Sequence, residues 1–174
     1  MPLNKYAPQA ATHRRTESAI LESTKVLIAQ LGISKISMIE IADTAQVSRA
    51  TLYNHFRDKD SVLSALCDFE IRGLVALAHS AGSAVAVLEA LSIQISTDSA
   101  LAKLRAVDPI FLTQVLAASD HPLWSQFRQA LTIIVNSQLL AEVAIGWLIA
   151  QVMQPLTSQE SRLQAEFLVS HAHL

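Results

Sequence analysis

Cysteine is almost missing. Cys67 stands alone in 174 residues, so no internal disulfide can form, which suits a reducing, cytoplasmic setting. Its apolar neighbours in the sequence mark it as a small buried hydrophobe. Glycine and proline number only four and five, leaving few turn clusters to break the chain. No run of about 20 predominantly apolar residues is present, the length a membrane-spanning helix needs. The least charged region, Gln129 to Met153, carries Glu142 in its middle with Asn136, Gln138 and Gln151 around it, so no membrane partner is expected. The opening MPLNKYAPQAATHRR has no apolar centre of the kind a secretory signal requires. Catalytic signatures are missing too. The serines of WSQF and VNSQ sit without a nucleophile elbow, and neither a Gly-rich phosphate loop nor HExxH occurs. No enzyme activity, catalytic residue, cofactor or metal is therefore expected; His171 and His173 read as a frayed tail rather than a metal pair.

What remains is 51% hydrophobic with 5% aromatic residues, a composition of good helix formers that predicts an all-α protein. The net charge of −2 is unevenly spread. Residues 1–57 hold seven Lys/Arg against four acids, a net +3, and the rest hold six against eleven, a net −5. A basic front on an acidic body points modestly to an anionic partner.

The first helix is expected from about Thr16 to Leu31, on the spacing of Ile20, Thr24, Leu27, Ile28 and Leu31, with Gly32 as its stop. Ile33 and Ile36 then fold back onto the core. Ser37 and Glu40 form a capping box opening a second helix, with Met38, Ile41, Ala42 and Ala45 on one face. Ser48 caps a third helix with Leu52 and Phe56 inward, and Asp58 caps a longer fourth. Beyond it, helices are expected over 59–79, 84–96, 98–106, 109–118, 122–136, 137–154 and 158–172, with Thr157 and Glu160 as another capping box.

Two short helices, a connection of about three residues and a supporting helix in front make a helix-turn-helix. With Leu52 and Phe56 inward, Arg49, Tyr53 and Asn54 face out. That explains why a short helix spends positions on Thr51, Tyr53, Asn54 and His55, all weak helix formers. Arg and Asn read base edges, and hydroxyls, His and Lys hold phosphate oxygens.

The segment IADTAQVSRATLYNHFRDKDSVL resembles the DNA-binding signature of the TetR family of bacterial transcriptional regulators. Ile41-Ala42, Val47-Ser48, Thr51-Leu52-Tyr53, His55-Phe56, Lys59 and Leu63 fall together at that family's spacings, over about residues 14–66. The resemblance implies a flexible basic arm over 1–13, a DNA-binding domain over 14–58 and a helical ligand-binding and dimerisation domain over 59–174. It further implies phosphate contacts from Ser37, Ser48, Thr51, Tyr53, His55 and Lys59, and base readout by Arg49, Ala50 and Asn54. The arm, with Lys5, Arg14 and Arg15, would add backbone or minor-groove contacts. Gln46 stands where the family carries Gly; a left-handed Gln there would cost about 1 kcal/mol.

For the body, the resemblance implies a pocket for a small hydrophobic inducer, with His79, Phe111, Gln114 and Trp124 as lining candidates. Apolar residues at helical spacing are equally those of a plain core. It also implies a homodimer through the last two helices, using Leu140, Val143, Ala144, Trp147, Leu163 and Phe167; burial within the monomer is the competing reading. Two recognition helices about 34–36 Å apart would match half-sites of a palindromic operator. The expected function is a dimeric repressor released from that operator by the inducer. The alternative is a ligand-sensing or protein-interaction module whose helix-turn-helix does not bind DNA.

Overall fold

The computed structural model describes residues 7–80, 82–117 and 122–171, and these contain helices and no strand. The first helix, α1, runs Ala7–Leu31, nine residues earlier than the apolar spacing indicates. Ala10 and Ala11 are the best helix formers, and nothing in AATHRRTE breaks the backbone pattern, so helix propensity carries α1 through the exposed residues 11–15 and beyond them to Ala7. The flexible arm expected over 1–13 is thus shortened: residues 7–13 are helical, Arg14 and Arg15 lie on exposed turns of α1, and Lys5 falls outside the described residues.

Gly32 ends α1 with φ 82°. A short 3-10 turn, η1 (Ile33–Lys35), returns the chain so that Ile36 is buried. Helix α2 (Met38–Thr44) opens with the expected capping box of Ser37 and Glu40. It closes in a Schellman motif: Val47 N–H donates to the Ala42 carbonyl and Gln46 N–H to that of Asp43. Gln46 is the left-handed residue of that motif, at φ 55°. Helix α3 (Arg49–His55) is capped by Ser48, and α4 (Lys59–Ala78) by Asp58 in a box with Ser61. Leu52 and Phe56 are buried, each contributing about 1.5–3 kcal/mol of transfer free energy.

The body follows with α5 (Ala84–Thr97), α6 (Ser99–Val107), α7 (Pro109–Ala117), α8 (Pro122–Val135), α9 (Gln138–Met153) and α10 (Ser158–Ser170). These bounds lie within two residues of the spacing-based expectation, because Asp98, Ser137 and Thr157 supply side-chain caps where a start is needed. Pro109 and Pro122 occupy first-turn positions, where a missing N–H costs nothing. One contiguous core runs from Ile20 through Leu66, Leu91 and Phe127 to Ala165. Within it α4 packs on α8, α5 on α10, and α1 on α6. No single helix among the described residues is long and apolar enough to cross a membrane.

Candidate nucleic-acid interface

The outer face of α3 is built by subtraction. Leu52 takes the inward side, and the Ser48 cap fixes the first turn by accepting the Thr51 N–H at 3.0 Å. Arg49, Ala50, Tyr53 and Asn54 are then left exposed, Tyr53 by 55%. None of the Arg49, Tyr53 and Asn54 side chains takes part in a hydrogen bond or ion pair among the described residues. A charged and an amide side chain held on a rigid helix without internal partners keep their full hydrogen-bonding capacity for a ligand.

The remaining phosphate-contact candidates are differently engaged. Ser48 and Thr51 hydroxyls lie 2.8 Å apart and share one hydrogen bond, leaving one O–H of the pair to point outward. Ser37 donates its O–H to the Glu40 carboxylate at 2.9 Å, so its proton is spent on the cap. Lys59 Nζ donates to the carbonyls of Ile33 and Ile36 at 3.2 and 3.3 Å. Its charge is thereby fixed against the η1 turn at the start of α4, with one N–H of three still unspent. His55 is half-buried, and its ring stacks on that of His13 at 3.9 Å, the planes 20° apart. Burial and the neighbouring His13 hold the His55 imidazole below its usual pKa, with Glu17 acting the other way. Beside this cluster, the Asp58 carboxylate is held below its usual range by the Ser61 N–H and by Arg57.

Behind the helix-turn-helix lies a cavity of about 170 Å³, walled by α1, α4 and the helices of the body. Phe111 and Trp124 line it, with Leu66, Ile71 and Leu104. The two other lining candidates do not. His79 is the exposed C-cap of α4, one residue past its end, and Gln114 lies on the exposed side of α7. The cavity touches α1 through Lys25 and Ile28 and η1 through Ile33. The Lys25 ammonium sits 2.7 Å from both Glu70 and Asp98. Burial works against its charge, yet the hydrogen bonds it donates to Asp98 and Glu70 outweigh that and raise its pKa. Asp108 makes a second link, accepting the Ile33 N–H at 3.0 Å. These joints between distant segments have no sequence spacing to announce them, and sequence reasoning missed them. His13 and Glu17 differ in this respect, because their i,i+4 spacing on α1 was a readable signal and only the approach of His55 was not.

The dimer candidates divide. Val143, Leu163 and Phe167 are exposed by 48, 55 and 62%, joined by Leu139 at 77%. Leu140 and Ala144, expected on the same surface, are instead buried in the monomer. Helix α9 is apolar on all sides, so spacing could not tell its core stripe from its outer stripe. Gln151, two turns further along α9 from Ala144, is buried and bonded to Ser92. Trp147 is half-buried and donates its indole N–H to Gln164 at 2.6 Å. At the chain end His171 stacks on Phe167, and His173 lies outside the described residues.

Comparison with known proteins agrees with this geometry. Residues 20–66 match the family model described as bacterial regulatory proteins, tetR family. Among curated proteins none matches the sequence. The fold is similar to that of the dihydroxyacetone kinase operon activator DhaS, with TM-score 0.63 and 16% identity over 89% of this chain and 94% of that one. It is similar to a TetR-like transcriptional regulator from Rhodococcus sp. RHA1, with TM-score 0.50 and 20% identity over 91% and 95%. A third similar structure is the regulator FadR from Bacillus subtilis in complex with stearoyl-CoA, with TM-score 0.51 and 19% identity over 90% and 99%. Family match and helix-turn-helix geometry coincide over residues 20–66, which are similar to the bacterial regulatory proteins of the tetR family, and the chain as a whole shares the fold of these solved regulators.

Proposed function

We propose that this DNA-binding transcriptional regulator acts as a homodimeric repressor that reads a palindromic operator and is released by a small apolar inducer. One observation carries the DNA reading: Arg49, Tyr53 and Asn54 stand exposed, and unpartnered among the described residues, on a capped, core-anchored helix. Arg49 would take a guanine and Asn54 an adenine through bidentate pairs, each worth about 1–3 kcal/mol of discrimination. Ser48, Thr51, Tyr53, His55 and Lys59 would set the register on phosphates, helped by Arg14 and Arg15. Ser37 would join them by turning its hydroxyl away from Glu40. The division at residues 14–58 and 59–174 serves this reading, with α4 as the connection.

Release would work by population shift. A ligand that binds better to one arrangement of α1 against the body lowers operator affinity by that differential alone. The cavity is suited to this because Lys25, Ile28 and Ile33 belong at once to its wall and to the DNA-binding end. Its lining is largely apolar, which favours an aliphatic or aromatic inducer. A FadR of similar fold takes stearoyl-CoA; the cavity of about 170 Å³ here fits a smaller apolar group. Leu139, Val143, Leu163 and Phe167 offer an exposed apolar surface on α9 and α10 for a second copy. The DhaS likeness is to an activator, so the sign of regulation is the part of this proposal that a reporter assay must decide.

Fluorescence anisotropy on DNA from upstream of the gene, with a random duplex as control and salt varied, tests the reading. Tight binding to the first alone supports it. Equal, salt-steep binding to both means phosphate contact without readout. The module with an inactive helix-turn-helix is favoured if genomic mapping at low salt also yields no site.

A further inference from the structure

His13 and Glu17 lie one helical turn apart on α1, so their side chains share a face. His55, in the last turn of α3, meets that face and stacks on His13 at 3.9 Å. One ring nitrogen of each histidine and a carboxylate oxygen of Glu17 all lie within 4.8 Å of one another. Among the described residues this is the place where three such donors converge. The other charged cluster, Lys25 with Glu70 and Asp98, already has its carboxylates neutralised by an ammonium.

We propose that His13, Glu17 and His55 form a binding site for a single divalent ion of the zinc class, clamping α1 to the recognition helix. Two imidazoles and one carboxylate are a donor set that late first-row metals prefer over magnesium or calcium. Three protein ligands leave a fourth tetrahedral position for water. Ligand atoms bonded at about 2.0–2.2 Å to one tetrahedral ion are about 3.3 Å apart. The cluster would therefore contract by at most about 1.5 Å. Rotation of the exposed His13 side chain, with a smaller turn of Glu17, supplies that movement while His55 keeps its seat in α3. The ion replaces the ring stack with bonds between two helices, so the end of the recognition helix becomes tied to the first helix directly. This site does not depend on DNA binding and its test does not use DNA.

Titrating the metal-free full chain with Co²⁺, a coloured stand-in for Zn²⁺, reads the site through its visible ligand-field bands. One equivalent per chain should give tetrahedral-type absorption that Zn²⁺ then bleaches by displacement. His13→Ala and Glu17→Gln should each weaken binding by more than about tenfold, the low end of what losing even an outer hydrogen-bonding partner costs a metal site. His13 is exposed and Glu17 half-buried on the early part of α1, and unchanged helical circular dichroism would show the variants folded. His171→Ala, at the far end of the chain, should bind as the parent does. Absence of the bands, or bands that persist in His13→Ala, or bands lost in His171→Ala, would overturn the assignment.

Discussion

The DNA-binding end and the helical body treat their polar side chains in opposite ways. Up to Asp58, polar groups mostly cap helices or face solvent, with Lys25 the exception that ties α1 to Glu70 and Asp98. The one buried polar side chain there among the described residues, Thr24, bonds the Ile20 carbonyl of its own helix. In the body, polar groups join helices from inside. Ser92 on α5 donates to Gln151 on α9 at 2.6 Å and lies 2.7 Å from the Ser161 hydroxyl on α10. Ser96 reaches the same Gln151 oxygen and accepts the Leu156 N–H. A surface that must meet DNA leaves its hydrogen bonds unmade, whereas a scaffold that must hold six helices in register closes them. Function is therefore written on the outside of one region and in the interior of the other.

Five substitutions test that contrast. The largest effect is expected where the regions meet. A Cβ at Gly32 would lie 2.6 Å from Val107 Cγ2 and 2.9 Å from Asp108 Oδ2, at φ +82°. Gly32→Ala should cost about 2–4 kcal/mol through left-handed strain plus crowding, read as a lower urea midpoint. Since Asp108 also holds the Ile33 N–H, the same variant should loosen α1 from α6 in hydrogen exchange. An unchanged midpoint would mean that the two regions are not braced there. Next is Gln151→Leu, which leaves the Ser92 and Ser96 hydroxyls without their acceptor. A loss of about 1–3 kcal/mol is expected, with DNA affinity per folded molecule preserved. Arg49→Ala should do the reverse. Operator affinity falls by about 1–3 kcal/mol while random-duplex binding changes far less, and the urea midpoint stays within about 0.5 kcal/mol of the parent. If either variant shifts both readouts together, the division of labour fails.

The sequence was most legible where short-range chemistry decides the structure. Ser37 with Glu40, Ser48, Asp58 and Thr157 each mark a helix start, since a cap acts over three residues. Leu52 and Phe56 followed from the same reasoning, and with them the outward trio. Legibility faded where partners are distant in the chain or where both faces of a helix are apolar. Leu140 and Leu139 are adjacent, yet one is buried and the other exposed by 77%; only the packing of α9 on α8 and α5 decides which. Lys25 reads as an ordinary helix lysine until the fold brings Glu70 and Asp98 to it. His79 failed as a cavity residue by the width of a helix end, since α4 stops at Ala78.

The smallest effect is also the most pointed comparison, because among the described residues each region holds one left-handed residue that is not glycine. Gln46, in the turn before α3, has φ 55°, and Asn136, between α8 and α9, has φ 51°. Their backbones are nearly alike, but their costs differ. Asn tolerates the left-handed region through its short polar side chain, whereas Gln meets the full clash of Cβ with the following carbonyl, about 1–2 kcal/mol. Replacing either by Gly relieves that clash and adds about 0.5–1 kcal/mol of unfolded-chain entropy to be lost on folding. Gln46→Gly should therefore raise stability by up to about 1 kcal/mol, and Asn136→Gly should leave it level or slightly lower. Because Val47 and Gln46 donate backbone N–H groups to α2 whatever the side chain, the turn keeps its shape and operator affinity should not move. A loss of affinity on Gln46→Gly at unchanged or higher stability would show that the Gln46 side chain, exposed at the turn, is itself a DNA contact, and the strain there would then be the cost of placing it.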